Sequence, residues 1–456
     1  MNNTKEAWER HYARIARKDR VIHQSNVFVG FNANIDAIIY IDETFEKILA
    51  ENNITKDNLL KKEPKNINTQ KEFLQVLAKS IMDSKEMEIA TKNKKLTQWI
   101  ENTFNTREYR IGGQAGIMSK FLDNLGLRVV FSTPKLSEKM AHLLPKTLII
   151  PDASGLKKLK DAKKSEDTKT NYIFEYKKGT SLFNKKTPRA DRFILATRPK
   201  GLEPRFHNNA TYEFLSFFEL VDRAIISGFQ SLNAYDKKDF EKAHTQIEKI
   251  KKVNPEIKIH VEEAYITDRR VSDEILDFVV RHVHSMGLNE VELAKTLSAT
   301  GKSKKASAIE KSNYSLLECY LGAKEIFEKM KLQRLHMHTY NYCMVLLSKD
   351  YGTSPEKMRD GLLFALLCAA VKASNGSVSS ITDIKKVETK LNEQGVKEII
   401  RTQKELGLCE GFIDSGICDL GNHFLIAAPT KISKKLKSTV GLGDIVSSSA
   451  FVYDVL

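Results

Sequence analysis

Short apolar runs rich in β-branched and aromatic residues alternate along this 456-residue chain with longer segments of helical periodicity. The apolar runs predict strands at residues 26–39, 127–133, 146–151, 223–230, 256–264 and 422–430. Helical patterns separate them, for example at 117–126, 237–253 and 358–373. Strands spaced by such helices predict an α/β fold: a doubly wound, mostly parallel sheet with helices on both faces.

Two segments interrupt this alternation. Residues 40–108 are mostly helical and charged, and residues 168–206 carry the alternation of a β-hairpin with one covered face. We therefore predict a smaller α+β domain formed by these two insertions. The division is 1–39, 109–167 and 207–456 for the large domain, and 40–108 and 168–206 for the small one.

The formal net charge of +15 leaves nucleic-acid binding open, but the lysines are mixed with acidic residues, which is typical of a solvated surface. We therefore expect no nucleic-acid partner. No apolar run reaches the roughly 18 to 20 residues of a membrane span, and the charged N-terminus lacks a signal-peptide core. We expect a cytoplasmic protein without membrane association. Five widely spaced cysteines argue against a disulfide framework.

The segment KSTVGLGDIVSSSAF, residues 437–451, places two glycines and an aspartate at the start of a predicted helix. Glycines at Gly441 and Gly443 let backbone N–H groups converge on a ligand, and the helix dipole adds positive potential. Such a turn binds a phosphate or an oxyanion. Asp444 could then act as a general base, or it could simply cap the helix.

Acidic and amide side chains follow two other predicted strands. His260 and Glu262 lie in IHVEEAY, and Asn289 and Glu292 lie in SMGLNEVEL. Ligands bind at the carboxyl ends of strands in open α/β sheets, and oxygen donors there suit Mg²⁺. The alternative is that Asn289 caps a helix and Glu292 lies on its surface.

Two polar turns offer groups for a sugar. GFNANID places Asn34 and Asp36 after the first strand, and RIGGQAG places Gly113 and Gln114 at the start of a helix. Amides and carboxylates suit sugar hydroxyls, although an Asx-rich turn alone would explain the first motif.

Three other patterns predict no site. The run Gly301-Lys302-Ser303 lacks the first glycine and the preceding strand of a phosphate-binding P-loop. The histidine pairs 282/284 and 336/338 have a spacing that does not share a helix face, so we expect no metal there.

The GLGD motif near the C-terminus resembles that of the ribokinase-like sugar kinases. GFNANIDAI, GGQAGIMSKFLDNLG, HVE and NEVE resemble their archaeal ADP-dependent branch, which comprises ADP-dependent glucokinases and 6-phosphofructokinases. The resemblance runs from Val27 to the C-terminus. It implies a ribokinase-like, nucleotide-binding large domain with a lid, and Mg²⁺-dependent transfer of a phosphoryl group from ADP to a hexose or hexose phosphate in glycolysis.

The resemblance also implies roles for individual residues. It makes Asp444 the catalytic base, the amides of 441–444 the anion hole, and Arg192 a phosphate ligand. The remaining implied residues are Thr439 and Val440 for the nucleotide, Glu262, Asn289 and Glu292 for Mg²⁺, and Asn34, Asp36, Gly113 and Gln114 for the sugar.

The acceptor is either glucose or fructose 6-phosphate, and only the second needs cations in the sugar pocket. Lys178 and Arg205 are candidates for that role, while Glu88 matches a position where glucokinases of the family carry glutamate. We therefore predict a bifunctional enzyme in which the phosphofructokinase activity dominates, as a monomer or small homo-oligomer. An ATP-dependent ribokinase-like kinase, a basic nucleic-acid-binding protein and a sugar sensor are the alternatives.

Overall fold

The computed structural model describes residues 2–18, 25–152, 155–205, 215–232, 237–264, 266 and 268–456. Its helices in chain order are α1 Asn2–Arg17, α2 Thr44–Glu51, α3 Gln70–Asp83, α4 Lys94–Thr103, α5 Gln114–Asn124, α6 Glu138–Leu143, α7 Lys237–Val253, α8 Arg269–Phe278, α9 Glu290–Ala299, α10 Ser303–Lys311, α11 Leu316–Met330, α12 Pro355–Asn375, α13 Glu393–Leu406, α14 Phe412–Ser415 and α15 Leu442–Val452. None of these described helices is long and apolar enough to cross a membrane.

The strands are β1 Asn26–Gly30, β2 Asn34–Tyr40, β3 Met87–Thr91, β4 Thr106–Gly112, β5 Arg128–Ser132, β6 Ile149–Asp152, β7 Gly155–Lys158, β8 Thr170–Tyr176, β9 Ser181–Leu182, β10 Lys185–Lys186, β11 Asp191–Thr197, β12 Arg223–Ile226, β13 Lys258–Glu262, β14 Ser285–Asn289, β15 Arg334–His338, β16 Tyr342–Ser348, β17 Thr389–Leu391, β18 Ile417–Asp419, β19 His423–Pro429 and β20 Lys431–Ser433.

Within the described residues, eleven strands form the large sheet, in the order β18-β19-β16-β15-β14-β13-β12-β1-β5-β6-β7. The seven strands from β15 to β6 are mutually parallel, whereas β7, β16, β18 and β19 pair antiparallel at the two edges. The predicted α/β fold with a mostly parallel, doubly wound sheet is confirmed. From β1, the sheet continues through β5 toward one edge and through β12 toward the other. This reversal of strand order is where open α/β sheets form their ligand-binding crevice.

A separate five-stranded sheet has the order β3-β11-β8-β2-β4. The β-hairpin pattern predicted within residues 168–206 is confirmed, because β8 and β11 pair antiparallel. Alternate side chains of β8 enter a core of their own under α2, α3 and α4, in which the ring of Phe174 lies 5.1 Å from that of Phe73.

The boundaries predicted at 39/40 and 108/109 fall inside β2 and β4, which both pair in this second sheet. The division of the chain into a large domain and a lid stays a prediction.

Candidate active site

The turn before α15 has the geometry of an anion-binding site. Gly441 is the N-cap residue with φ 73°, in the left-handed region that disfavours side chains. A Cβ on Gly443 would lie 2.5 Å from Nε2 of His338, so a glycine is needed there as well. The first N–H groups of α15 have no intrahelical partners, and the helix dipole favours negative charge at this end. The predicted phosphate-binding turn therefore has the required backbone.

Asp444 lies in the first turn of α15, and it is not the cap, because Gly441 occupies that position. Burial raises the pKa of the Asp444 carboxyl to about 6, while the nearby Lys372 ammonium acts in the opposite direction. Within the described part of the chain, no side chain hydrogen-bonds to the Asp444 carboxylate. A carboxylate in this state can accept a proton.

Glu262 ends strand β13 and is buried, with 4% of its surface exposed. Its Oε2 accepts a hydrogen bond of 2.5 Å from Ser447 Oγ on α15 and lies 3.0 Å from Nε2 of His260. Burial raises the pKa of Glu262 well above its usual value, the Ser447 hydrogen bond opposes this, and the charges of Asp444 and Glu292 add to it. Three carboxylates therefore repel one another at the carboxyl end of the sheet.

Asn289 and Glu292 form a capping box at the start of α9. The Asn289 Oδ1 atom accepts hydrogen bonds of 2.9 Å from the N–H groups of Val291 and Glu292, and Glu292 Oε2 accepts one of 2.7 Å from the Asn289 N–H. Burial raises the pKa of Glu292 to about 7. The helix-cap interpretation of Asn289 is thus confirmed, whereas Glu292 is buried and not on the surface.

Clustered, desolvated carboxylates are a donor set that suits a divalent cation, because the cation relieves their mutual repulsion. Glu262 and Glu292 fit Mg²⁺ in this way. The fit of Asn289 is poorer, because its carbonyl oxygen already accepts two backbone hydrogen bonds.

The residues predicted to hold the sugar meet where the two sheets join. Asn34 and Asn171 donate hydrogen bonds of 2.6 Å and 3.2 Å to Oδ1 of Asp36. Burial raises the pKa of Asp36, and these two hydrogen bonds oppose the increase. A Cβ on Gly112 would overlap both Asn34 and Asp36, so this glycine permits the cluster to form.

Gln114 connects this cluster to strand β13. Its Nε2 donates a 2.6 Å hydrogen bond to the Glu263 carbonyl, and its Oε1 accepts one of 3.3 Å from Asn32. Gly113 has φ 73°, and a Cβ there would approach the Asn32 carbonyl to 2.6 Å. The two polar turns predicted from the sequence therefore contact each other and the metal-binding candidates.

A cavity of about 1220 Å³ extends from the second sheet to the anion-binding turn and has Arg192 and Thr439 on its walls. Arg192 forms an ion pair with Glu86, with 2.7 Å between Nε and Oε1. The adjacent Val440 exposes 45% of its surface. Arg192 therefore lines the same cavity as Thr439, which precedes the anion-binding turn, and Glu86 is its partner in this structure.

Lys169 connects the sugar cluster to a neighbouring pair of charged residues. Arg198 pairs with Glu88 at 3.2 Å, and Lys169 interacts electrostatically with Arg198, Glu88 and Asp36. Burial lowers the pKa of the Lys169 ammonium, and the Arg198 charge lowers it further. Sequence reasoning missed Lys169, which precedes β8 and belongs to no motif.

The other predicted cations lie elsewhere. Lys178 is on the exposed turn after β8, and Arg205 pairs with Glu203 at 3.6 Å. No contact among the described residues brings either one to Asp36, and their roles stay predictions.

A mostly parallel α/β sheet that carries clustered carboxylates at its carboxyl edge and a glycine-flanked aspartate at a neighbouring helix N-terminus has the architecture of enzymes that bind phosphate-bearing ligands. A family model described as "ADP-specific Phosphofructokinase/Glucokinase conserved region" matches residues 25–453. The chain therefore belongs to the ADP-specific phosphofructokinase/glucokinase family.

Curated relatives and solved structures agree with this family. The chain is 30% identical to an ADP-specific phosphofructokinase of Methanosarcina acetivorans, over 98% of this chain and 97% of the relative. It is 32% identical to an ADP-dependent glucose/glucosamine kinase of Pyrococcus furiosus, over 98% of each.

The reconstructed last common ancestor of ADP-dependent phosphofructokinases from Methanosarcinales has a similar structure, with TM-score 0.85, 31% identity, and coverage of 100% of this chain and 98% of that one. An ADP-dependent kinase in complex with fructose-6-phosphate and ADPbetaS gives TM-score 0.81 at 31% identity and the same coverage.

Proposed function

We propose that this chain is a Mg²⁺-dependent kinase that transfers a phosphoryl group from ADP to a hydroxyl of a hexose or hexose phosphate, releasing AMP. Fructose 6-phosphate is the main acceptor and glucose the second. The observation that carries the proposal is the Asp444 carboxylate, which has no hydrogen-bonded side chain in the described part of the chain and lies beside the anion-binding turn. Relatives of both kinds, phosphofructokinases and a glucose/glucosamine kinase, support the two acceptors.

In this mechanism Asp444 accepts the proton of the attacking hydroxyl. The hydroxyl oxygen forms a bond to the β-phosphorus while the bond from that phosphorus to the bridging oxygen breaks, and AMP leaves. Because the pKa of Asp444 is about 6, the carboxylate is mostly ionised at neutral pH and can act as a base. The N–H groups from Gly441 to Asp444 hold the transferred group, with Thr439 and Val440 beside the nucleotide.

Mg²⁺ neutralises charge on the donor phosphates when it is bound. Glu262 and Glu292 would hold it, and Ser447 and His260 fix the position of the Glu262 carboxylate. Arg192 exchanges its ion pair with Glu86 for a donor phosphate, because a dianionic phosphate offers the guanidinium stronger hydrogen bonds than a half-exposed carboxylate.

The acceptor binds at the junction of the two sheets. Asn34, Asp36 and Gln114 hold sugar hydroxyls, and Gly113 lets the backbone approach the ring. Lys169 and Arg198 bind the phosphate of fructose 6-phosphate, since Lys169 interacts with Asp36 and both cations interact with Glu88. Glu88 binds a hydroxyl when glucose is the acceptor.

The test is steady-state turnover with Mg²⁺ for ADP or ATP paired with glucose or fructose 6-phosphate. We expect turnover with ADP on both sugars, and a loss of about 10² to 10⁴ in kcat in Asp444→Asn, the range for removal of a general base. Turnover with ATP alone, or turnover that survives in Asp444→Asn, would contradict the proposal. A cytoplasmic location and a monomeric or small homo-oligomeric state stay predictions.

A further inference from the structure

Two histidines and a glutamate converge on the surface of the large sheet's helical layer, away from the candidate active site. His244 and Glu248 lie one turn apart on α7, and His282 lies in a 3-10 turn, Val280–His282, that precedes β14. One possible ligand atom from each of the three lies within 4.8 Å of those of the other two. The imidazole rings are 3.9 Å apart between centroids, with 34° between their planes.

Glu248 Oε1 lies 4.0 Å from Nε2 of His244 and 3.7 Å from Nδ1 of His282. In a tetrahedral zinc site with bonds of about 2.0–2.1 Å, the ligand atoms lie about 3.3 Å from one another. Relative to that spacing, the Glu248–His244 contact has to shorten by about 0.7 Å and the Glu248–His282 contact by about 0.4 Å, and the two histidine ligand atoms, which lie within 4.8 Å of each other, by up to about 1.5 Å. All three side chains retain exposure, with 35%, 47% and 28% of the side-chain surface open in chain order, so side-chain rotation can supply these shifts.

We propose that His244, Glu248 and His282 form a Zn²⁺ site with water as the fourth ligand. Two imidazoles and one carboxylate suit borderline divalent metals such as Zn²⁺, whereas Mg²⁺ prefers oxygen ligands throughout. The site joins α7 to the turn that leads into β14, the strand that ends at Asn289.

The electrostatic surroundings agree with metal binding. Burial lowers the pKa of His282 and the neighbouring His244 lowers it further, while Glu248 acts in the opposite direction. One group competes: Lys251 Nζ lies 3.1 Å from Glu248 Oε1 and must release it.

The experiment is calorimetric titration of the full chain with Zn²⁺ in excess Mg²⁺, which occupies sites made of oxygen ligands alone. We expect one Zn²⁺ per chain, with binding weakened at least about tenfold in His244→Asn and in His282→Asn. Lys251→Met should tighten binding, because it frees Glu248. A Cu²⁺-loaded sample should show electron paramagnetic resonance hyperfine coupling to two nitrogen ligands. The control is His142→Asn, which changes an exposed histidine on α6.

Absence of Zn²⁺ binding to the wild-type chain, or unchanged affinity in both histidine variants, would overturn the proposal. If neither Lys251→Met nor Glu248→Gln changes the affinity for Zn²⁺, Glu248 is not a ligand and the three-ligand site is overturned. Circular dichroism of each variant establishes that it is folded. Since no sugar or nucleotide is used, the outcome does not depend on the proposed kinase activity.

Discussion

The Asp444 carboxylate should reduce the stability of the folded chain, so replacing it with an uncharged isostere should stabilise the protein while lowering kcat by the factor given above. Its pKa of about 6 compares with 3.8 for a carboxyl in water, and burial is the main cause. One pKa unit corresponds to about 1.36 kcal/mol. The charged form therefore costs up to about 3 kcal/mol, and partial exposure to solvent reduces this, so we expect Asp444→Asn to raise the free energy of unfolding by about 1–3 kcal/mol at neutral pH.

The sign of the pH dependence follows from linkage. Because the folded state holds the proton more tightly than the unfolded state, the stability that the protonated carboxyl contributes is complete below about pH 4 and is lost as the pH rises through about 6. Asparagine does not titrate. The advantage of Asp444→Asn should therefore be largest above pH 6 and should vanish near pH 4.

The assay is urea unfolding of the metal-free protein in a Trp99→Phe background, which leaves Trp8 as the fluorophore. Trp8 is fully buried in the core of the large sheet and so reports the part of the chain that holds Asp444. The exposed Asp161→Asn is the matched control and should change stability by less than about 0.5 kcal/mol. Equal stabilisation at pH 4 and pH 7, or no stabilisation at pH 7, would refute the electrostatic reasoning.

Three further changes test other parts of the structure. Lys169→Met should raise KM for fructose 6-phosphate by about tenfold or more, since a hydrogen bond to a charged group contributes about 1.5–3 kcal/mol. KM for glucose should be nearly unchanged, and an equal effect on both sugars in steady-state assays would argue against a phosphate contact. Gly443→Ala should lower kcat at least about tenfold because its Cβ would lie 2.5 Å from His338 Nε2, whereas Gly411→Ala, with open space around it, should not. Phe174→Ala should destabilise the second sheet by about 3–5 kcal/mol, measured as faster hydrogen exchange in that sheet, and unchanged exchange there would contradict its role in the core.

The fold class could be predicted because buried parallel strands read as continuous apolar runs, as β1 and β5 do. Strands β14 and β15 were harder to predict, since they carry polar residues that are fully buried. Arg334 donates hydrogen bonds of 2.9 Å to Ser285 on β14 and of 3.0 Å to Nδ1 of His336 on its own strand, whereas Nε2 of His336 has no partner among the described residues. Such pairing between distant segments leaves no apolar pattern in either one.

Much of the candidate site was predicted because its residues lie in short motifs at strand ends. Asp444, Glu262 and Gln114 are examples, and the topology brings them together. Lys169 could not be found in this way, because its importance arises from a charge environment built by β2, β3 and β11. A lysine in a chain with 73 lysines and arginines carries no local signal of that kind.

Asn289 and Glu292 show that one sequence motif can indicate either a helix cap or a metal site. An asparagine followed three residues later by a glutamate is the pattern of a capping box, and the same spacing places two oxygen donors at a strand end facing Mg²⁺. The sequence alone cannot separate the two interpretations. The structure shows which atoms form the cap. Asn289 Oδ1 accepts hydrogen bonds from the N–H groups of Val291 and Glu292, and Glu292 Oε2 accepts one from the Asn289 N–H. Glu292 therefore has Oε1 for another partner. The cap thus holds the Glu292 carboxylate in place at the edge of the sheet, so a cation can bind there without breaking the start of α9.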